Sequence, residues 1–264
     1  MKSVLEFASA KAEGRKISMV TCYDACFARL LETSTIDSLL VGDSAAMVMH
    51  GYPDTLAATV ELMALHTAAV RRGAPTRFLV ADMPFLSFRK GVPAAMDAVA
   101  ALMRAGANAV KLEGVDGHED VIAAIVGSGV PVMGHLGLTP QSVHALAGYR
   151  VQGRSEDDAA RIFDEALLLE RFGCFALVLE CVPAPLASKI TAALRMPTIG
   201  IGAGADCDGQ VLVLQDLLGL SSGFRPKFLR TYADGFEQFK DALDRFDLDV
   251  KDGAFPGPGE SYES

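Results

Sequence analysis

Eight short apolar runs, each rich in β-branched residues and each followed by enough chain for a helix, constrain the fold more than any other feature of this sequence. They lie at Ile17–Cys22, Ser38–Gly42, Arg77–Asp82, Ala109–Glu113, Pro131–His135, Phe175–Glu180, Pro197–Ile201 and Val211–Leu214. Amphipathic stretches at Thr55–Arg72, Val92–Arg104 and Glu156–Phe172 separate some of them; in the last, Ala159, Phe163, Ala166 and Leu169 recur at helical spacing and Gly173 follows as a stop. Runs that are hydrophobic throughout, such as PVMGHL and FALVLEC, suit parallel strands covered on both faces. The beat predicts an α/β chain, a single-domain (β/α)8 barrel with a short N-terminal helix and an extended C-terminal tail. A doubly wound open sheet has the same alternation, so the count of strands leaves both topologies open.

The 264 residues suit one barrel domain, which typically needs about 250. The barrel is expected over residues 1–250. Residues 251–264, KDGAFPGPGESYES, have little to bury and are expected to wrap the surface, meet a neighbouring subunit or stay mobile. Half the residues are hydrophobic and 22% are charged, ample material for a large core. A net charge of −9 leaves no basic surplus for phosphate backbones or anionic lipid, so neither nucleic acid nor a membrane is an expected partner. Cys22, Cys26, Cys174, Cys181 and Cys207 form no CxxC pair and read as reduced thiols. The opening MKSVLEFASAKAEGRK lacks an unbroken apolar core, and no apolar stretch approaches about 18 residues, so the expected location is the cytoplasm.

Chemistry collects where the apolar runs end. Asp43 follows SLLVG, Asp82 ends RFLVAD, Lys111 and Glu113 end AVKLE, His135 ends PVMGH and Glu180 ends FALVLE. Buried charge is costly unless paired or metal-bound, so five strands ending this way point to the active-site rim of a barrel. Lys111 and Glu113 are two apart and share one side of the sheet.

Each residue also has a plainer reading. Asp43 and Asp82 suit helix N-caps; with Glu113 they also make the all-oxygen set that Mg2+ prefers. Lys111 reads as a structural ion pair, as a Schiff-base nucleophile, or as the holder of an anionic substrate, the role we favour. Glu180, on a strongly apolar strand, is either a salt-bridged rim residue or a desolvated general base. His135 divides between satisfied core residue and site residue, while His50, His66, His118 and His144 read as structural. GIGAG at Gly200–Gly204 is either a phosphate-binding loop or a place of close backbone approach.

The runs VGDS (41–44), HTAAVRRGAP (66–75), ADMPF (81–85), MRAGANAVKLEG (103–114), GHLGLTPQSV (134–143), VQGR (151–154), LVLECVP (177–183) and IGIGAG (199–204) resemble the ketopantoate hydroxymethyltransferase family over nearly the whole chain. The resemblance implies a Mg2+-dependent barrel enzyme of pantothenate and coenzyme A biosynthesis. It would transfer a hydroxymethyl group from 5,10-methylenetetrahydrofolate to the 2-oxo acid 3-methyl-2-oxobutanoate. It implies metal ligands at Asp43, Asp82 and Glu113, and substrate contacts at Asp43, Ser44, Asp82 and Lys111. It also implies the proton acceptor at Glu180 and a homo-oligomer, a decamer in the family; His135 joins the substrate contacts as a candidate. Ala46 and the pair Ala147-Gly148 depart from the glycines of the family pattern. Two rival chemistries stay open. One is a carbon–carbon lyase of the same metal-and-oxo-acid type that needs no folate. The other is a Schiff-base aldolase using Lys111 on a phosphorylated sugar.

Overall fold

The computed structural model describes residues 1–264 apart from 147, 222, 224, 263 and 264. Ala147, one of the two loop departures, therefore lies outside the described residues. The described chain forms two compact units, residues 1–213 and 214–264.

In the first unit eight parallel strands close a barrel in sequence order: β1 (Ile17–Thr21), β2 (Ser38–Val41), β3 (Phe78–Asp82), β4 (Ala109–Glu113), β5 (Val132–Gly137), β6 (Ala176–Glu180), β7 (Thr198–Ile201) and β8 (Gly209–Leu212). Closure comes from β1, which pairs with β2 on one side and β8 on the other, and it excludes the open sheet. The helices of this unit are α1 (Val4–Ala12), α2 (Ala25–Thr33), α3 (Ala45–Val48), α4 (Val60–Gly73), α5 (Val92–Arg104), α6 (Glu119–Gly127), α7 (Glu156–Arg171) and α8 (Ala184–Ala193).

Most strand ends shift by one or two residues from the sequence reading, and two departures have a clear local reason. The eighth strand begins at Gly209 rather than Val211, because Ile17 N–H donates to Asp208 O and sets Ile17 opposite Gly209. A Cβ at residue 209 would stand 2.5 Å from Ile17 O, so the strand must start on a glycine, which carries no apolar signal. The stretch Thr55–Arg72 is two elements. Asp54 accepts from Leu56 N–H and starts a short 3-10 turn at Thr55–Ala57, and Thr59 then accepts from Leu62 N–H and starts α4.

Period-2 alternation sorts each strand. Along β3, Phe78 and Val80 join the buried barrel core and Asp82 stands above them at the rim. Helix α1 plugs the opposite end: Phe7, fully buried, meets Phe78 and Phe175 at 5.2 Å between ring centroids. Burying such a ring contributes about 1.5–3 kcal/mol, so the site's floor is a rigid apolar plug.

The second unit contains α9 (Leu214–Leu217) and α10 (Gly235–Lys251). Its tail turns back on α10: Ala254 and Phe255 N–H both donate to Asp249 O, and the Phe246 and Phe255 rings meet at 5.5 Å. Helix α10 leaves Phe236, Phe239, Leu243, Phe246 and Val250 exposed, a stripe at coiled-coil spacing. Among the described residues no helix is long and apolar enough to cross a membrane.

Candidate active site

A cavity of about 180 Å³ opens at the C-terminal rim of the barrel, and Asp43, Ser44, Asp82, Lys111, Glu113, His135 and Glu180 all line it. Leu40, Val178 and Val211 form its apolar lining below. Strand register explains the convergence. Asp82 on β3 is opposite Lys111 on β4, Glu113 is opposite His135 on β5, and Gly137 is opposite Glu180 on β6, so the polar residues occupy neighbouring places on the inner face. After Glu180 the chain takes a left-handed residue, Cys181 at φ 48°, which bends it sharply off the strand.

The polar groups form one connected set. Lys111 Nζ lies 3.1 Å from Asp82 Oδ1 and 3.2 Å from His135 Nδ1. His135 Nδ1 is also 3.5 Å from Glu113 Oε1, while its Nε2 is 3.2 Å from Glu180 Oε2. Burial and the Lys111 charge oppose protonation of His135, but contacts with Glu113 and Glu180 outweigh them and raise its pKa to about 9. Burial likewise opposes the Lys111 charge, yet Asp82, Glu113 and Asp43 hold its pKa above the ordinary lysine value. Burial, reinforced by the Asp82 and Glu113 charges, pushes the Asp43 carboxyl well above its ordinary range against the pull of Lys111 and Gln141. Asp82 is raised by burial as well, opposed by Lys111 and by the Asp43 N–H.

Several contributors carried no distinguishing mark in the sequence. Gln141 Nε2 donates to Asp43 Oδ2 (2.8 Å) and Met83 O (2.9 Å), and its backbone N–H donates to Glu113 Oε2 at 3.0 Å. Tyr23, buried, hydrogen-bonds Ser44 Oγ through its hydroxyl at 2.8 Å. Thr55 and Tyr149 also line the cavity. Gln141 sits inside the GHLGLTPQSV run, the one signal that would have drawn attention to it.

The residues read as structural lie elsewhere. His66 Nδ1 is 2.6 Å from Tyr23 O, its Nε2 is 2.9 Å from His50 Nε2, and His118 Nδ1 is 3.1 Å from Asp116 O. In GIGAG, Ile201 lines the cavity, and a Cβ at Gly204 would stand 2.6 Å from Ala184 Cβ, so that glycine serves packing against α8.

A cation fits the donor set. Asp82 Oδ1 and Glu113 Oε1 are buried without a hydrogen bond, the Lys111 and His135 approaches being ion-pair contacts rather than aligned bonds. Burial, and then crowding by Asp82 and Glu113, raises the Asp43 pKa, a conflict that a divalent ion would relieve. Among the described residues no group of three or more His, Cys, Asp or Glu side chains is placed to hold a metal by itself. Mg2+ commonly takes only one or two carboxylates, with waters and substrate completing the octahedron.

The profile of the ketopantoate hydroxymethyltransferase family matches residues 2–258. The chain belongs to this family. It is 56% identical to 3-methyl-2-oxobutanoate hydroxymethyltransferase of Bdellovibrio bacteriovorus over 262 residues, 99% of this chain and 100% of that one. It is 49% identical to the enzyme of the same name from Francisella tularensis subsp. novicida over 263 residues, 100% and 99% of the two chains. Family membership makes the chain an enzyme of the hydroxymethyltransferase class. Among solved structures, phosphonopyruvate hydrolase in complex with oxalate and Mg2+ shares the fold with a TM-score of 0.63 at 13% identity, over 98% of this chain and 93% of that one. A 2,3-dimethylmalate lyase does so with a TM-score of 0.58 at 15% identity, over 100% and 89% of the chains.

Proposed function

We propose that this family member converts 3-methyl-2-oxobutanoate, 5,10-methylenetetrahydrofolate and water to 2-dehydropantoate and tetrahydrofolate, a step of pantothenate biosynthesis, in the cytoplasm. The observation that carries the reading is Glu180, which faces a small cavity that also holds Lys111 and three further acids. Lys111 and Ser44 bind the anionic oxygens of the acid. Glu180 removes the C3 proton, and His135, 3.2 Å from its Oε2, holds that carboxylate in place. Asp43, Asp82 and Glu113 would hold Mg2+, which would supply Lewis-acid stabilisation of the negative charge that develops on the keto oxygen. The carbanionic C3 then takes up the one-carbon unit, and the apolar lining at Leu40, Val178 and Val211 shields it from bulk water.

Lys111 as a Schiff-base nucleophile is disfavoured, because Asp82, Glu113 and Asp43 hold its amine protonated. The exposed apolar stripe of α10 supports a homo-oligomer, a decamer by family resemblance. All five cysteines are free, which supports a reducing compartment. Incubation with Mg2+, 3-methyl-2-oxobutanoate and methylenetetrahydrofolate, followed by mass analysis, tests the reading: ketopantoate is expected, and its absence overturns it.

A further inference from the structure

We propose that Thr55 is a further substrate-contacting residue, its hydroxyl donating a hydrogen bond to an oxygen of the bound 2-oxo acid. The assignment rests on the activity proposed above. Thr55 lines the cavity, is 2% exposed, and its Oγ1 is buried without a hydrogen-bond partner in the chain. A buried hydroxyl left unpaired is unfavourable, and a valine of the same shape would fill the place without that penalty.

The local turn does not account for the hydroxyl. Asp54 Oδ1 caps the turn by accepting from Leu56 N–H, Ala58 N–H closes it onto Thr55 O, and Thr59 caps the helix that follows. The other hydroxyls of the cavity are engaged: Ser44 and Thr21 both interact with Tyr23, and the Tyr149 hydroxyl is 3.8 Å from Met47 Sδ. A 2-oxo acid brings three acceptor oxygens into a cavity already carrying Asp43, Asp82, Glu113 and Glu180. It therefore needs donors, and Thr55 supplies one without adding charge.

The test compares Thr55→Val and Thr55→Ser in the exchange of the C3 proton of 3-methyl-2-oxobutanoate with D2O, assayed with Mg2+ and without folate. Thr55→Val is expected to raise KM for the acid about tenfold, the loss of one hydrogen bond. Thr55→Ser, which keeps the hydroxyl, is expected to restore KM to near the wild-type value. Thermal melting separates binding from folding: without ligand Thr55→Val should melt no lower than wild type, while the rise in Tm produced by acid plus Mg2+ should shrink. Unchanged KM in Thr55→Val, or equal losses in both variants, overturns the assignment. A defect confined to the folate-dependent reaction overturns it too, since the hydroxyl would then face the one-carbon unit. Absence of exchange in the wild-type enzyme instead overturns the proposed activity, and the assignment with it.

Discussion

Gln141 Nε2 donates to Asp43 Oδ2 at 2.8 Å, a bond that joins residues 98 positions apart in sequence. The same side chain donates to Met83 O, and the backbone N–H of Gln141 holds Glu113 Oε2. One residue of the β5–α7 loop thus orients two acids of the site. Replacing Gln141 by Leu removes the donors to Asp43 and Met83 O and leaves both buried acceptors short of a partner. Mg2+ affinity, read from the metal dependence of activity, is expected to fall about 10- to 100-fold. An unchanged metal dependence would remove Gln141 from the orienting role.

Glu180→Gln keeps the shape and loses the base. Exchange of the C3 proton into D2O should fall on the order of 10²–10⁴-fold, while calorimetry should still detect binding of the oxo acid with Mg2+. Exchange at the wild-type rate would mean that another group takes the proton.

Lys111 is the buried counter-charge of Asp82, their side chains only 6% and 4% exposed. Lys111→Met should destabilise the metal-free fold by about 3–5 kcal/mol in urea titration, because it leaves a buried carboxylate unpaired. Added Mg2+ should recover part of that loss. A stability within about 1 kcal/mol of wild type, the usual range for an exposed pair, would contradict the burial of this pair.

Asp158 gives a pH signature away from the site. Burial raises its pKa, but the Gly153 N–H and the Arg161 guanidinium outweigh that and hold it below the usual carboxylate range. A folded-state pKa below the unfolded value contributes stability that is present above the unfolded pKa, about 3.9, and lost as pH falls through the folded one. Asp158→Asn should therefore melt lower than wild type at pH 7, by no more than about 1 kcal/mol since the group is partly solvated. The gap should close toward pH 3; a gap independent of pH would show that the carboxylate charge is not what matters.

Much of the barrel is legible in the sequence alone, because a strand buried on both faces must be apolar and must stop where charge begins. Asp43, Asp82, Lys111, Glu113, His135 and Glu180 were visible for that reason: each is an ionisable group at the end of an apolar run, and period-2 geometry put Lys111 and Glu113 on one face. Gly209 at the head of β8 was not visible, since its place follows from pairing with Ile17 across the barrel seam.

The loop residues were invisible for a different reason. Gln141 belongs to no periodic pattern and Thr55 only opens an amphipathic stretch; their roles depend on where two turns meet the cavity, a matter of long-range packing. Tyr23 reaches Ser44 only because β1 and β2 are neighbours in the closed barrel. Local periodicity by itself determined the strands and the ring of charge at their ends. Barrel closure and loop packing decided which neutral side chains complete that ring, because a hydrogen bond needs a partner within about 3 Å and sequence spacing does not measure that distance between separate loops.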